Sequence, residues 1–263
     1  MTTTRVATAR PAVPAATARP SFTVIVPALN EEDNLRAAVE AVLREMAPVS
    51  SWLEVLVFDD RSTDRTGEIA DALAREDSRV RTFHNRGRLN MGGIYKEGVR
   101  LARADYVFMV PGDNEQRVDE IARVVPHLAK TDLLVFYVTN TRVRPWARRA
   151  LSRFYVWVVN RLYGTRFRYT NGTNIFRTSV VQRLPIETSS FAYATEAVVK
   201  AVRSGVDFAE VGVEIQPRDF GTSKAFAWKN VRTVVTSLAR LWWDVAVKHR
   251  ARYRLRGRAL GAV

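Results

Sequence analysis

The chain has 263 residues, 47% of them hydrophobic and 10% aromatic, no cysteine and a formal net charge of +14. That is apolar material for one large core, which excludes global disorder. The missing cysteines exclude a disulfide framework, a thiol nucleophile and a thiolate metal site.

Residues 1–20 are mostly Ala, Thr, Pro and Arg without a continuous apolar run, so they lack a secretory core and are expected as a disordered leader. Residues 22–26, FTVIV, read as a buried strand stopped by Pro27. Asn30 is expected to cap a helix with an acidic first turn and an apolar face at Leu35, Val39, Val42, Leu43 and Met46. A second buried strand at 53–58 ends in Asp59 and Asp60, and a helix follows at 66–75. A third strand at 80–84 leads into a glycine-containing loop at 87–93 and a helix through Ala102. A fourth strand at 106–110 is broken by Pro111-Gly112-Asp113. This βαβ rhythm predicts an α/β fold with a mostly parallel sheet and right-handed crossovers. Ligands then collect beyond the carboxyl ends of the strands, so the loops carrying Asn30, Asp59, Asp60 and Asp113 should converge on one crevice. Further on, 132–139, 173–177 and 208–215 read as strands, and 145–162 and 192–204 as helices.

Three constellations carry chemistry. Asp113 and Glu115, two residues apart after a strand, can hold a hard cation such as Mg²⁺ or Mn²⁺ that neutralises a diphosphate, or they form an Asp-Asn turn with a capping Glu. Asp59 and Asp60 can accept hydrogen bonds from a nucleobase or ribose, or one of them caps the next helix. Arg218, Gly221, Ser223 and Lys224 suit phosphate binding, a guanidinium gripping oxygens in pairs and an ammonium acting as a point charge, or they form a plain solvent loop.

The segments VIVPALNEEDNL, VLVFDDRSTDRTGEIA, RLNMGGIYKEGVRLARADYVFMVPGDNE and FAYATEAVVKAVRSGVDFAEVGVEIQPRDFGTSK together resemble family 2 inverting glycosyltransferases of the GT-A fold. Their spacing is similar to the dolichyl-phosphate mannose synthase and polyprenyl-phosphate glycosyltransferase branch. The resemblance implies a catalytic domain at 21–225 and nucleotide contacts at Pro27, Ala28, Asn30, Glu31, Asp59 and Asp60. It implies metal ligation by Asp113 and Glu115, phosphate or acceptor contacts at Arg142, Arg148, Ser152 and Ser223, and catalytic roles for Asp113, Arg218 and Lys224. Mg²⁺ or Mn²⁺ is the implied cofactor, a nucleoside-diphosphate sugar the donor and a polyprenyl phosphate the acceptor. Pro111 departs from the family's D-x-D motif, in whose first aspartate position it stands. A soluble or saccharide acceptor is the alternative, and it would need a base; Asp113 or Glu196 could serve, since His84, His127 and His249 lie in strand, helix and tail contexts.

Between residues 228 and 258, nine lysines and arginines stand against Asp244 alone. Such a tail reads as attachment to anionic lipid or nucleic acid, or as a solvated terminus. Trp146, Phe154, Trp157 and Val158, then Trp228, Val231, Val235, Leu238, Leu241 and Trp242, alternate with arginines at helical spacing. Residues 226–263 are therefore expected as an amphipathic region lying on an anionic membrane surface from the cytoplasmic side, or packing on the core. Neither apolar stretch reaches the roughly 18 uncharged residues of a spanning helix. A nucleotidyltransferase would show an early G-x-G-T/S-R loop, which PALNEE is not. Nucleic acid, suggested by the tail charge alone, is not expected as a partner.

Overall fold

The computed structural model describes residues 19–215 and 228–262. Four strands, β1 (Phe22–Ala28), β2 (Leu53–Asp59), β3 (Val80–His84) and β4 (Tyr106–Met109), alternate with helices α1 (Leu35–Met46), α2 (Thr66–Glu76) and α3 (Asn90–Leu101). After α4 (Val118–Val124) come β5 (Leu133–Val138), α5 (Trp146–Tyr163), β6 (Asn174–Arg177), the short α6 (Thr178–Val181), α7 (Tyr193–Arg203), β7 (Phe208–Val213), α8 (Trp228–Trp243) and β8 (Ala259–Ala262). One sheet holds all eight strands in the order β3-β2-β1-β4-β6-β5-β7-β8, parallel except for β6, which runs against β4 and β5. The expected mostly parallel α/β architecture stands.

The first two strands read as continuous apolar runs because both faces of the sheet are covered. Phe22, Val24 and Val26 of β1 and Val55 and Val57 of β2 pack into the layer of α1 and α4, while Ile25, Leu56 and Phe58 pack into the layer of α3 and α7. The polar exceptions pair with each other: the Thr23 hydroxyl donates to Glu54 Oε1 at 2.7 Å. Gly98 lets α3 lie flat on β1, since a Cβ there would stand 2.5 Å from Ile25 Cδ1.

Three local expectations are corrected. Pro27 does not stop β1, because the ladder needs its carbonyl, which accepts the Gly112 N–H at 3.0 Å, and a proline carbonyl is as good an acceptor as any. Asn30 does not cap α1, which begins several residues later. It sits in left-handed backbone (φ 52°) and its side chain accepts the Thr63 N–H at 2.9 Å, stitching the loops after β1 and β2 together. Gly92 and Gly93 lie inside the first turn of α3 rather than in a loop; a Cβ on Gly92 would meet Thr188 O at 2.6 Å, so a glycine there admits the backbone of the 187–191 loop. In the described part of the tail, residues 228–262, β8 pairs in parallel with β7, and Leu238, Leu241, Val245 and Tyr253 join the core under α7, which is the packing on the core that the spacing left open. The other face of this region and of α5 is exposed, Trp146 by 76%, Trp157 by 61% and Trp243 by 57%. Among the described residues, no helix is long and apolar enough to cross a membrane.

Candidate active site

The carboxyl ends of β2, β1 and β4 are neighbours in the sheet, so their loops open on one side. There they surround a cleft of about 380 Å³ whose walls include Pro27, Ala28 and Glu31 after β1, Asp60 after β2, and Pro111, Gly112, Asp113 and Glu115 after β4. Arg88, Asn90, Arg144, Arg148 and Tyr169 line the same cleft. Strand ends far apart in the chain thus meet, as the crevice argument expected.

The two aspartates after β2 do different things. Asp59 is turned from the cleft: it accepts the Ser62 N–H at 2.9 Å and faces His84 Nδ1 at 3.2 Å, holding the turn into α2. Asp60 faces the cleft and is saturated with donors, the N–H groups of Leu89 (2.7 Å) and Asn90 (3.0 Å), the Asn85 amide (2.9 Å) and Arg88 Nε (3.3 Å). A buried carboxylate with that set of donors fixes the loop before α3 and with it the direction of Arg88. Glu31 lies at the cleft wall, its carboxylate accepting from the Asn34 amide at 3.0 Å.

Asp113 and Glu115 stand together at the cleft wall, the Asp113 Oδ1 accepting the Glu115 N–H at 3.2 Å across Asn114, whose φ of 56° makes the turn. Two carboxylates are hard oxygen donors of the kind Mg²⁺ and Mn²⁺ take, with diphosphate and water oxygens filling the remaining positions. Pro111 adds no donor, and among the described residues no third acidic or histidine side chain joins them.

The basic wall is where sequence reasoning and structure part. Arg148 lines the cleft, but Arg142 and Ser152 do not. Arg144, which no sequence motif marks, does: its Nη1 donates to the Tyr169 hydroxyl at 3.4 Å, its guanidinium lies 6.0 Å from that ring's centre, and its buried Nε has no hydrogen-bond partner among the described residues. Arg88 is likewise unmarked; its one signal is its place just beyond the end of β3. Arg218, Gly221, Ser223 and Lys224 lie outside the described residues.

Glu196 is not a base in this cleft and does not lie on a helix surface. It is buried on α7, accepts the N–H groups of Glu187 (3.0 Å) and Thr188 (2.9 Å), and sits 2.8 Å from Lys200 Nζ. None of the three histidines lines the cleft. His84 bridges Asp59 and Asp71, and the hydrogen bond to Asp71 at 2.9 Å, ahead of that to Asp59, holds its pKa above the ordinary imidazole value.

Glycosyl transferase family 2 matches residues 23–185, which spans every cleft loop from β1 to the start of the second half. This chain belongs to glycosyl transferase family 2. The glycosyltransferase is 28% identical over 260 residues to glycosyltransferase AglD of Haloferax volcanii, covering 94% of this chain and 40% of that longer protein. It is likewise 28% identical to polyprenol monophosphomannose synthase of Mycolicibacterium smegmatis, covering 85% of this chain and 88% of the relative. Its fold matches glucosyl-3-phosphoglycerate synthase of Mycobacterium tuberculosis, solved with Mn²⁺, UDP and phosphoglyceric acid, at a TM-score of 0.63 and 20% identity over 89% of this chain and 84% of that one. The same synthase solved with Mg²⁺ and UDP matches at 0.59 over 94% of the chain and 85% of the synthase. The fold is GT-A, and the divalent cation expected from the motifs accords with these structures.

The expected membership of the polyprenyl-phosphate branch is corrected by these structures, and with it the polyprenyl-phosphate acceptor and the membrane surface as partners. Several of the structures that share the architecture over most of the chain were solved with phosphoglyceric acid, a small water-soluble acid. The physical reason for the misreading lies in where the motifs sit. Pro27, Ala28, Glu31, Asp60, Asp113 and Glu115 line the cleft from the motif-bearing loops at the strand ends, whereas Arg144 and Tyr169, which line it too, are marked by no motif.

Proposed function

We propose that this glycosyltransferase moves a sugar from a UDP-sugar to a soluble acceptor that carries an anionic group. The observation that carries the reading is the mixed charge of the cleft: the carboxylates Asp113 and Glu115 and the guanidinium groups Arg144 and Arg148 line the same space. The carboxylates would hold the divalent cation, which when bound offsets the charge of the donor's diphosphate. Arg88, directed by Asp60, supports the nucleotide from the α3 side. Arg144 and Arg148 would bind the acceptor's carboxylate or phosphate, orienting its hydroxyl toward the sugar, and the paired donors of a guanidinium suit such an oxyanion. Tyr169 fixes the Arg144 fork, so less order must be created when the acceptor binds. Arg218, Ser223 and Lys224 are proposed as further phosphate contacts on the motif alone. The absence of cysteine suits a reducing compartment such as the cytoplasm.

The test is an assay of UDP release from UDP-glucose with Mn²⁺, comparing 3-phosphoglycerate and glycerate with glycerol as acceptors. The expected result is transfer to the acids, with a water-soluble product, and poor transfer to glycerol. Equal rates with all three would remove the anion from the reading.

A further inference from the structure

A second cavity, of about 450 Å³, adjoins the first and shares Asn90 and Phe191 with it. Its walls come from the 187–191 loop, α7, and α8 with the residue that follows it, Asp244. Three hydroxyls meet in one wall: Thr188 Oγ1 is 2.8 Å from Ser190 Oγ and 2.9 Å from Ser237 Oγ, and the last two are 3.0 Å apart. Thr236 adds another hydroxyl and Asn90 an amide.

The floor is ionic but neutralised. Lys200, without any exposure, places its Nζ 2.8 Å from Glu196 Oε1 and 2.8 Å from Asp244 Oδ2, and donates to Pro185 O at 2.7 Å. With Arg240 and Glu187 also in the lining, two cations face three carboxylates. A cavity of that balance has no excess positive charge with which to draw a phosphate or a carboxylate, in contrast to the wall formed by Arg144 and Arg148. Hydroxyls and an amide, by contrast, both donate and accept, which is the complement of a sugar's hydroxyls, and Phe191 offers an apolar surface for its C–H face. The volume also falls in the range of small-molecule sites, about 300–1,000 Å³.

We propose that this second cavity is a polyol subsite, which receives a neutral polyhydroxylated portion of the acceptor while the reacting end lies in the neighbouring cleft. This deepens the reading of a soluble acceptor and rests on it. The enzyme would accordingly favour acceptors extended by a sugar over the bare acid.

Saturation-transfer NMR on the full chain, with UDP and Mg²⁺ as one probe and glycerol, glucose and maltose as the others, tests it. Maltose is expected to receive saturation from the wild-type protein and to lose at least about five-fold of it in Ser237→Trp, a substitution at a residue that lines the second cavity and not the donor cleft, while the UDP signal stays unchanged. If Ser237→Trp does not fold, Thr188→Val removes the hydroxyl on which the other two converge and should weaken the maltose signal in the same direction. Undiminished maltose transfer in a folded Ser237→Trp overturns the subsite, as does a wild-type protein that gives UDP signals but none for any of the three polyols. Maltose transfer lost with the cavity in a protein that shows no turnover on soluble acids supports the subsite and removes the acceptor reading instead.

Discussion

Asp113 and Glu115 reach the cleft as a pair because Asn114 between them takes a positive φ, turning both carboxylate-bearing residues to one wall. Asp113→Asn keeps the volume and the hydrogen bond to the Glu115 N–H while halving the negative charge offered to a cation. Turnover of UDP-glucose is expected to fall on the order of 10²-fold, as when one electrostatic contact to the reacting charge is lost, and the Mn²⁺ concentration needed for half-activity to rise. A Mn²⁺ titration of activity beside an unchanged melting curve measures both, and an Asp113→Asn protein as active as the wild type would exclude the carboxylate from the site. Arg144 gives a separable prediction. Arg144→Lys keeps the charge but loses the planar fork, so the KM for 3-phosphoglycerate should rise roughly ten-fold with the KM for UDP-glucose unmoved; equal changes in both would place Arg144 on the donor instead. At this scale the strand-end acids were legible, since each follows a buried apolar run whose end faces the crevice by topology alone. Arg144 was not, for what distinguishes it from Arg142 and Arg149 is the position of Tyr169, 25 residues on and brought back beside it only by the fold.

Among the elements, one contact that joins the second half of the chain to the donor half, beside the β4–β6 pairing, is the 187–191 loop. Glu196 on α7 anchors it through two backbone N–H groups, Lys200 holds Glu196 and the Asp244 turn together, and on the other side the Ser189 carbonyl accepts the Gly92 N–H at the start of α3. Lys200→Met would leave two buried carboxylates without their cation, and removing one member of such a buried cluster costs about 3–5 kcal/mol. The urea midpoint should fall accordingly, and a loss below about 1 kcal/mol would mean that water, rather than Lys200, solvates Glu196 and Asp244. Gly92→Ala should destabilise too, since the Thr188 and Ser189 backbone at 2.6–2.8 Å cannot yield as a side chain tip could. The helical periods of α5, α7 and α8 were readable from spacing, because apolar residues recur on one face whatever the partner. That Gly92 and Gly93 belong to a helix was not, because glycine marks loops by its freedom, and here it serves a close approach that only the tertiary structure reveals.

For the molecule as a whole, the strand order shows where sequence reading ends. The βαβ rhythm up to β4 follows from local pattern, but the insertion of β6 between β4 and β5 and the return of β8 to β7 are pairings of distant segments, and β8, four residues with a glycine among them, is too short to announce itself. The same dependence on distant partners sets one feature of the pH response. His84 ends β3 and ties it to Asp71 of α2 and Asp59 of β2, with its pKa held above the ordinary value, first by Asp71 and then by Asp59. An imidazole whose pKa is higher folded than unfolded stabilises the native state fully below the unfolded pKa, about 6.5, and loses that contribution as the pH rises through the folded value. His84→Gln should therefore lower the urea midpoint most near pH ~5.5, with the gap to wild type narrowing through neutral pH and nearly closed by pH ~9. Because the ring is half exposed, the gap at the acid end should also shrink as salt rises from about 0.05 M to about 1 M. Denaturation of both proteins across that pH range decides it: a gap that is constant with pH would make His84 a packing residue, and one that widens toward alkaline pH would reverse the sign of its coupling to the two aspartates.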